Sequence, residues 1–323
     1  MLTSPTPFTL FVNQLRILRS QLPGVRDGDP ESVHDARVAT RRIRELLELV
    51  DGNHAEDVRA DVRRMGRDLG RVRDVDVRIA LLARLESRIP PAAPALVALR
   101  HTLEQKRAKQ LRAAIKRFEK PDLDSLFDHQ TLNAIRRTLS HRTSWARWTV
   151  SLRRIISARG KATTEAINHT SGVYFPNRIH RARIAIKKMR YAMEIATESG
   201  LSNLLAQIQE LKGMQDALGE LHDRQSLLDE LPTVEPGDSS KALAPLVLVR
   251  EVLHANIQRL HNRFVSRRNR LLDISRAAQS LRTGRPWAVS IPVAAGVLAL
   301  ASGAILVPRR RSLGPGTAIG NAT

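Results

Sequence analysis

One stretch of this chain occurs twice, and that repetition limits the fold more than any other feature. Residues 30–50 read PESVHDARVATRRIRELLELV and residues 176–196 read PNRIHRARIAIKKMRYAMEIA. A shift of 146 places Pro30 on Pro176, Val33 on Ile179 and His34 on His180. It also aligns Arg37, Arg41, Arg42, Arg44 and Glu48 with Arg183, Lys187, Lys188, Arg190 and Glu194. At a shift of 149, Met65, Leu69, Gly70 and Asp74 meet Met214, Leu218, Gly219 and Asp223; at 150, Leu96, Val97 and Arg100 meet Leu246, Val247 and Arg250. Three matches in the same order at nearly one offset mark two copies of a single unit.

That unit is helical. No stretch alternates apolar and polar residues long enough for a strand, whereas the helical period recurs throughout. The periodicity predicts helices over 9–22, 30–50, 55–87, 94–119, 128–159, 177–198, 201–230 and 243–274. Breaks are expected at Pro23-Gly24, Asp51-Gly52-Asn53, Pro90-Pro91, Pro121, Tyr174-Phe175-Pro176 and from Pro232 to Asp238. The expected fold class is all-α: two pseudo-symmetric four-helix bundles made by internal duplication, plus a C-terminal hydrophobic segment.

Charge narrows the partners. Against 53 Lys+Arg stand 32 Asp+Glu, a formal charge of +21 on 323 residues. A hydrophobic content of 42% is enough for a real core, which excludes wholesale disorder. Such a charge attracts polyanions: nucleic acid, acidic lipid or polyphosphate. There is no cysteine, so disulfides, thiolate metal sites and thiol nucleophiles are excluded. Met1 to Leu22 lacks a basic start followed by an apolar run, so no secretory signal is expected and the expected location is cytoplasmic.

The charge is patterned. On a helical wheel His34, Arg37, Arg41 and Arg44 fall within ~80°, while Ala39, Ile43, Leu46, Leu47 and Val50 lie opposite. The second copy repeats this: His180, Arg183, Lys187 and Arg190 share a stripe opposed by Ala182, Ala185, Met189, Met193 and Ala196. No carboxylate lies three or four residues away to neutralise every cation, and Glu48 is the nearest. Arginine forks grip phosphate bidentately and lysine supplies a point charge, so several phosphates in a row suit the stripe. A solvated basic face is the bland reading, and its recurrence in both copies weighs against it. Protonated His34 and His180 would donate to phosphate, strengthening binding as pH falls. A second stripe, Arg64, Arg67, Arg71 and Arg78, follows on the next helix, with Asp74 placed to orient or neutralise one of them. Its counterpart is less basic: Lys212 matches Arg63, but Gly213 and Asp216 replace Arg64 and Arg67. Arg100 and Arg107 rank low, since Ile257 answers Arg107.

The doubled pattern H-x-x-R-x-x-x-[RK]-[RK]-x-R, at 34–44 and 180–190, resembles the CHAD family, the conserved histidine α-helical domain. So do LGRVRDVDV at 69–77 and LGELHDRQS at 218–226. The resemblance spans residues 8–275, with repeat one over 8–119 and repeat two over 128–275, then a linker over 276–286. It implies two four-helix bundles packed about a pseudo-dyad, with a basic central cavity or channel that binds inorganic polyphosphate. That role would fall on His34, Arg37, Arg41, Arg44, His180, Arg183, Lys187 and Arg190, with Arg64, Arg67, Arg71 and Lys212 added from the basic stripes. Arg181 departs from the first copy, which has Asp35. Family members are often joined to a triphosphatase domain; no E-x-E-x-K motif is present, and a stand-alone binding module is what the resemblance then implies.

No enzyme signature accompanies these features: no P-loop, G-x-G-x-x-G, H-E-x-x-H or G-x-S-x-G. The expectation is a binding protein without cofactor or metal. Two alternatives stay open. Polyphosphate hydrolysis would need metal held by clustered carboxylates, for which Asp74, Asp76 and Asp223 are the candidates. Non-specific nucleic-acid binding fits the charge, but aromatics are 3% and do not interleave the stripes, so stacking and specific recognition are not expected.

Residues 288–307 (AVSIPVAAGVLALASGAILV) are twenty uncharged, mostly apolar residues between Arg285–Trp287 and Arg309–Arg311. Their length suits one membrane pass, and attachment to a granule surface or an unstructured apolar tail are the other readings. Residues 308–323 read as a flexible tail. Six arginines and no carboxylate follow Ile274, so the helical body carries +15 of the total and the tail could add contact with anionic lipid.

Overall fold

The computed structural model describes residues 6–48, 53–118, 129–140, 142–170, 173–232 and 244–281. Among these, all regular structure is helical: α1 (Pro7–Arg26), α2 (Pro30–Leu47), α3 (Asn53–Arg88), a 3₁₀ turn (Pro90–Ala92), α4 (Ala93–Phe118), α5 (His129–Ser140), α6 (Arg142–Asn168), α7 (Pro176–Glu198), α8 (Leu205–Glu230) and α9 (Ala244–Ser280). The apolar segment 288–307 and the tail 308–323 lie outside the described residues. Among the described helices, none is long and apolar enough to cross a membrane.

The helices pack in chain order. α1 lies on α2, α2 on α3 and α3 on α4; after α5, α6 lies on α7, α7 on α8, α8 on α9, and α9 returns along α6. The two sets touch through α2 with α7, through α3 with α8 and through α9 with the 3₁₀ turn. The helices that carry the repeated motifs are therefore the ones that meet in the middle.

Local signals explain why the motif helices start where they do. Asp29 caps α2, its carboxylate accepting the Ser32 N–H at 2.8 Å, and Pro30 fills the first helical position, where its missing N–H costs nothing. Those hydrogen bonds from Ser32 hold the Asp29 carboxyl below its usual range. Pro176 does the same for α7 without a side-chain cap. The apolar faces then go to the core. Val33, Ala36, Ala39, Ile43, Leu46 and Leu47 are all 2% exposed or less. Ile179, Ala182, Ile186, Met189, Met193 and Ala196 bury the matching side of α7. Burying each large aliphatic chain contributes about 1.5–3 kcal/mol, and the opposite face of each helix is left for the cations.

Several boundaries differ from expectation. α1 runs through Pro23 to Arg26, because a proline in the last turns removes one hydrogen bond only; the chain turns instead at Gly28, whose φ of +77° suits glycine. The helix expected over 128–159 is two helices, and α6 continues past Gly160 to Asn168. A Cβ at Gly160 would sit 2.6 Å from the Ser275 carbonyl oxygen, so the glycine allows α9 to lie close rather than ending the helix. α9 extends to Ser280.

Ion pairs tie the two sets together. Arg159 of α6 contacts Glu45 and Glu48 of α2 and donates to the Lys188 carbonyl at 2.8 Å. Arg42 of α2 reaches Glu194 at 3.5 Å and Glu198 at 3.3 Å on α7. Arg78 of α3 and Lys106 of α4 share Glu230 of α8. Arg159 and Glu45 are both buried, which makes this contact sensitive to loss of either partner.

Candidate anion-binding site

The same three-residue arrangement occurs in each half. Two turns into α2, the Arg37 guanidinium lies across Gly70 of α3, where an added Cβ would stand 3.3 Å from Nε. Two turns into α7, the Arg183 guanidinium lies across Gly219 of α8, at 3.6 Å from such a Cβ. Each glycine lets a guanidinium pass flat over the neighbouring helix. One turn beyond each stands an aspartate: Asp74, 3.4 Å from Arg37, and Asp223, whose charge acts on Arg183. The halves also interact. Asp74 acts on Arg183 and on Asp223, and Arg183 acts on Arg37.

Around this centre the cations crowd. Lys187, half-buried on α7, has its ammonium pushed down to about 7 by burial first, then by Arg41, Arg183, Arg37 and Arg44. Three of those four arginines belong to the other half, so the two stripes converge. Burial and Arg41 hold Arg37 down to about 10, and burial lowers Arg183. The Arg183 Nε–H is buried without a hydrogen-bond partner, as is His180 Nδ1. An unsatisfied buried donor costs about 1–3 kcal/mol, a cost that an arriving acceptor removes.

The histidines flank the centre unequally. His180 packs against His222 with ring centroids 4.8 Å apart, and burial lowers both. His34 is exposed; burial of part of its ring and Arg73 lower it. Arg73 and His222 are counterparts at the shift of 149, so each half pairs its motif histidine with the same position of the next helix. Between α3 and α8 a cleft of about 270 Å³ opens, lined by Arg73, Arg84, Glu220, Asp223 and Arg224 among others.

The sequence matches the CHAD domain family over residues 9–232. The chain belongs to the CHAD family. Two solved structures share this CHAD fold. The CHAD domain from the plant Ricinus communis is 22% identical, with a TM-score of 0.55, 86% of this chain and 93% of that chain being covered. PptA from Streptomyces chartreusis is 16% identical, with a TM-score of 0.55 and coverage of 87% and 100%. No curated protein matches the chain in sequence.

Not every residue singled out by the CHAD pattern and the stripes reaches the centre. Arg190 is buried, bonded to Gln215 at 3.0 Å, ion-paired with Glu194 and stacked 4.4 Å from the Tyr191 ring centroid. It closes the α7–α8 packing. Arg64 is exposed and paired with Asp61; Arg71 is exposed, 3.7 Å from Asp68, which also takes Arg117 at 2.7 Å. Lys212 is exposed on α8. Arg67 is exposed one turn before Gly70, on the side of α3 that meets α2. Asp76 is buried and held by Arg107, which also donates to the Gly28 carbonyl at 2.7 Å. Among the described residues, no three His, Asp or Glu side chains are grouped to hold a metal.

Proposed function

We propose that this CHAD domain binds inorganic polyphosphate across the junction of its two halves. The observation that carries this reading is Lys187: a lysine from repeat two, half-buried among Arg37, Arg41, Arg44 and Arg183. Like charges at that density are costly in the free protein, and a multivalent anion removes the cost. Polyphosphate supplies one negative charge per residue at short, regular spacing, and arginine forks suit its oxygens. Arg37, Arg41, Arg44, Arg183 and Lys187 form the core of the proposed contact, with His34, His180, Arg73 and His222 at its ends. The segment 288–307 would tether the domain to a membrane or granule surface.

The test is isothermal titration with polyphosphates of graded length, at fixed salt, against duplex DNA at the same salt. The R41E/K187E pair and the fuller reversal of Arg37, Arg41, Arg183 and Lys187 to Glu should lose binding at least a hundredfold while circular dichroism reports unchanged helicity. Binding that survives R41E/K187E, or tighter binding to DNA than to long-chain polyphosphate, overturns the assignment.

A further inference from the structure

The two central arginines already have anions of their own. Arg37 Nη2 lies 3.4 Å from the Asp74 carboxylate, and Arg183 feels both Asp223 and Asp74. The carboxylates stand at equivalent positions of the two halves, one turn past the glycines that seat the guanidiniums. A phosphate cannot join an arginine at this spot without meeting a carboxylate of the same sign. We propose that Asp74 and Asp223 are built-in counter-anions of Arg37 and Arg183, displaced when a polyanion binds, and that they set the charge a ligand must bring. This rests on the polyphosphate reading above.

The two aspartates leave in different ways. The Asp74 side chain is 63% exposed, so it can turn into water at little cost. Asp223 is half-buried, with Arg183 on α7, Arg37 on α2, Asp74 on α3 and Arg224 on its own helix facing it, and Arg73 and Glu220 along the same cleft. Burial raises its carboxyl, so protonation is its route to neutrality. Its displacement is therefore favoured by acid. A short anion depends on the centre and meets both carboxylates. A long chain also spreads over Arg41, Arg44 and Lys187, and the same obstacle is a smaller fraction of its contacts.

This reading makes a prediction opposite in sign to a structural role. If Asp74 merely orients Arg37, removing its charge weakens binding. If it competes, D74N binds linear tripolyphosphate about tenfold tighter than wild type, roughly 1.4 kcal/mol. D223N should gain similarly and lose the part of the acid-side rise in affinity that wild type owes to Asp223. Both gains should shrink with long-chain polyphosphate. The experiment is titration of the full chain with tripolyphosphate and long-chain polyphosphate at several pH values. Because Asp74 is exposed, D74N keeps the packing intact and carries the test if D223N misfolds. Equal or weaker binding of tripolyphosphate by D74N overturns the counter-anion role. R41E/K187E, run alongside, separates the outcomes. If that variant loses binding but D74N does not gain, only this inference fails; if it binds normally, the site itself is wrong.

Discussion

At the scale of the residue, Lys187 joins stability to binding. Its ordinary ammonium value is 10.5 and the fold holds it at about 7, so between those values the unfolded chain carries a proton that the folded chain lacks. Stability contributed at this position therefore rises with pH across that window. An anion reverses the preference by favouring the charged form, so binding takes up a proton and affinity falls as pH rises through about 7. K187M should raise Tm below neutrality by about 2–4 °C while weakening polyphosphate binding, and both pH slopes should flatten. Thermal melts and titrations over roughly pH 6–9, either side of the lowered ammonium value, check this. Lys187 was legible as a stripe member from spacing alone. Arg73 and His222 are not legible on a wheel of one helix, although the shift of 149 pairs them, because their role arises between helices. Arg190 shows the converse failure. Its partner Glu194 stands one turn on in the sequence, but Gln215 and the Tyr191 ring that complete its enclosure do not follow from spacing.

At the scale of the element, a guanidinium needs a bare patch of helix to lie on. Gly70 supplies it, and an alanine there would place Cβ 3.3 Å from Arg37 Nε, tighter than ordinary contact. Alanine also favours the helix over glycine by about 1 kcal/mol. Gly70→Ala should therefore keep or slightly raise Tm while lowering polyphosphate affinity about tenfold by displacing the guanidinium. Gly219→Ala, where the gap to Arg183 is 3.6 Å, is the milder counterpart and should change affinity by less. Melting curves and titration on the two variants decide it. The start of α2 was readable because Asp29, Pro30 and the apolar spacing agree. The ends were harder. Pro23 and Gly160 look like terminators locally, yet both helices continue: Pro23 sits in the last turns, where it removes one hydrogen bond only, and for Gly160 the reason is a neighbour, α9, more than a hundred residues away in the chain.

At the scale of the whole molecule, the junction rests on long-range pairs that leave no periodic trace. Arg159 against Glu45 and Glu48 links α6 to α2, and nothing in local spacing announces it. R159M strands Glu45 in the interior and should cost about 3–5 kcal/mol at neutral pH. Burial already raises the Glu45 carboxyl above its ordinary value, so its protonated form is the one the fold favours. In R159M, acidification should therefore restore part of the loss, visible as a narrowing Tm gap between variant and wild type toward weak acid. The motif helices, by contrast, were readable from the repeated sequence, and α2 meets α7 while α3 meets α8. Their meeting has a consequence for the ligand. Arg37 with Gly70 and Asp74 is answered by Arg183 with Gly219 and Asp223, so the centre reads nearly alike from either end. A linear phosphate polymer has no head or tail, whereas a nucleic-acid strand has polarity; on the polyphosphate reading, either sense of threading would offer the two central arginines the same backbone.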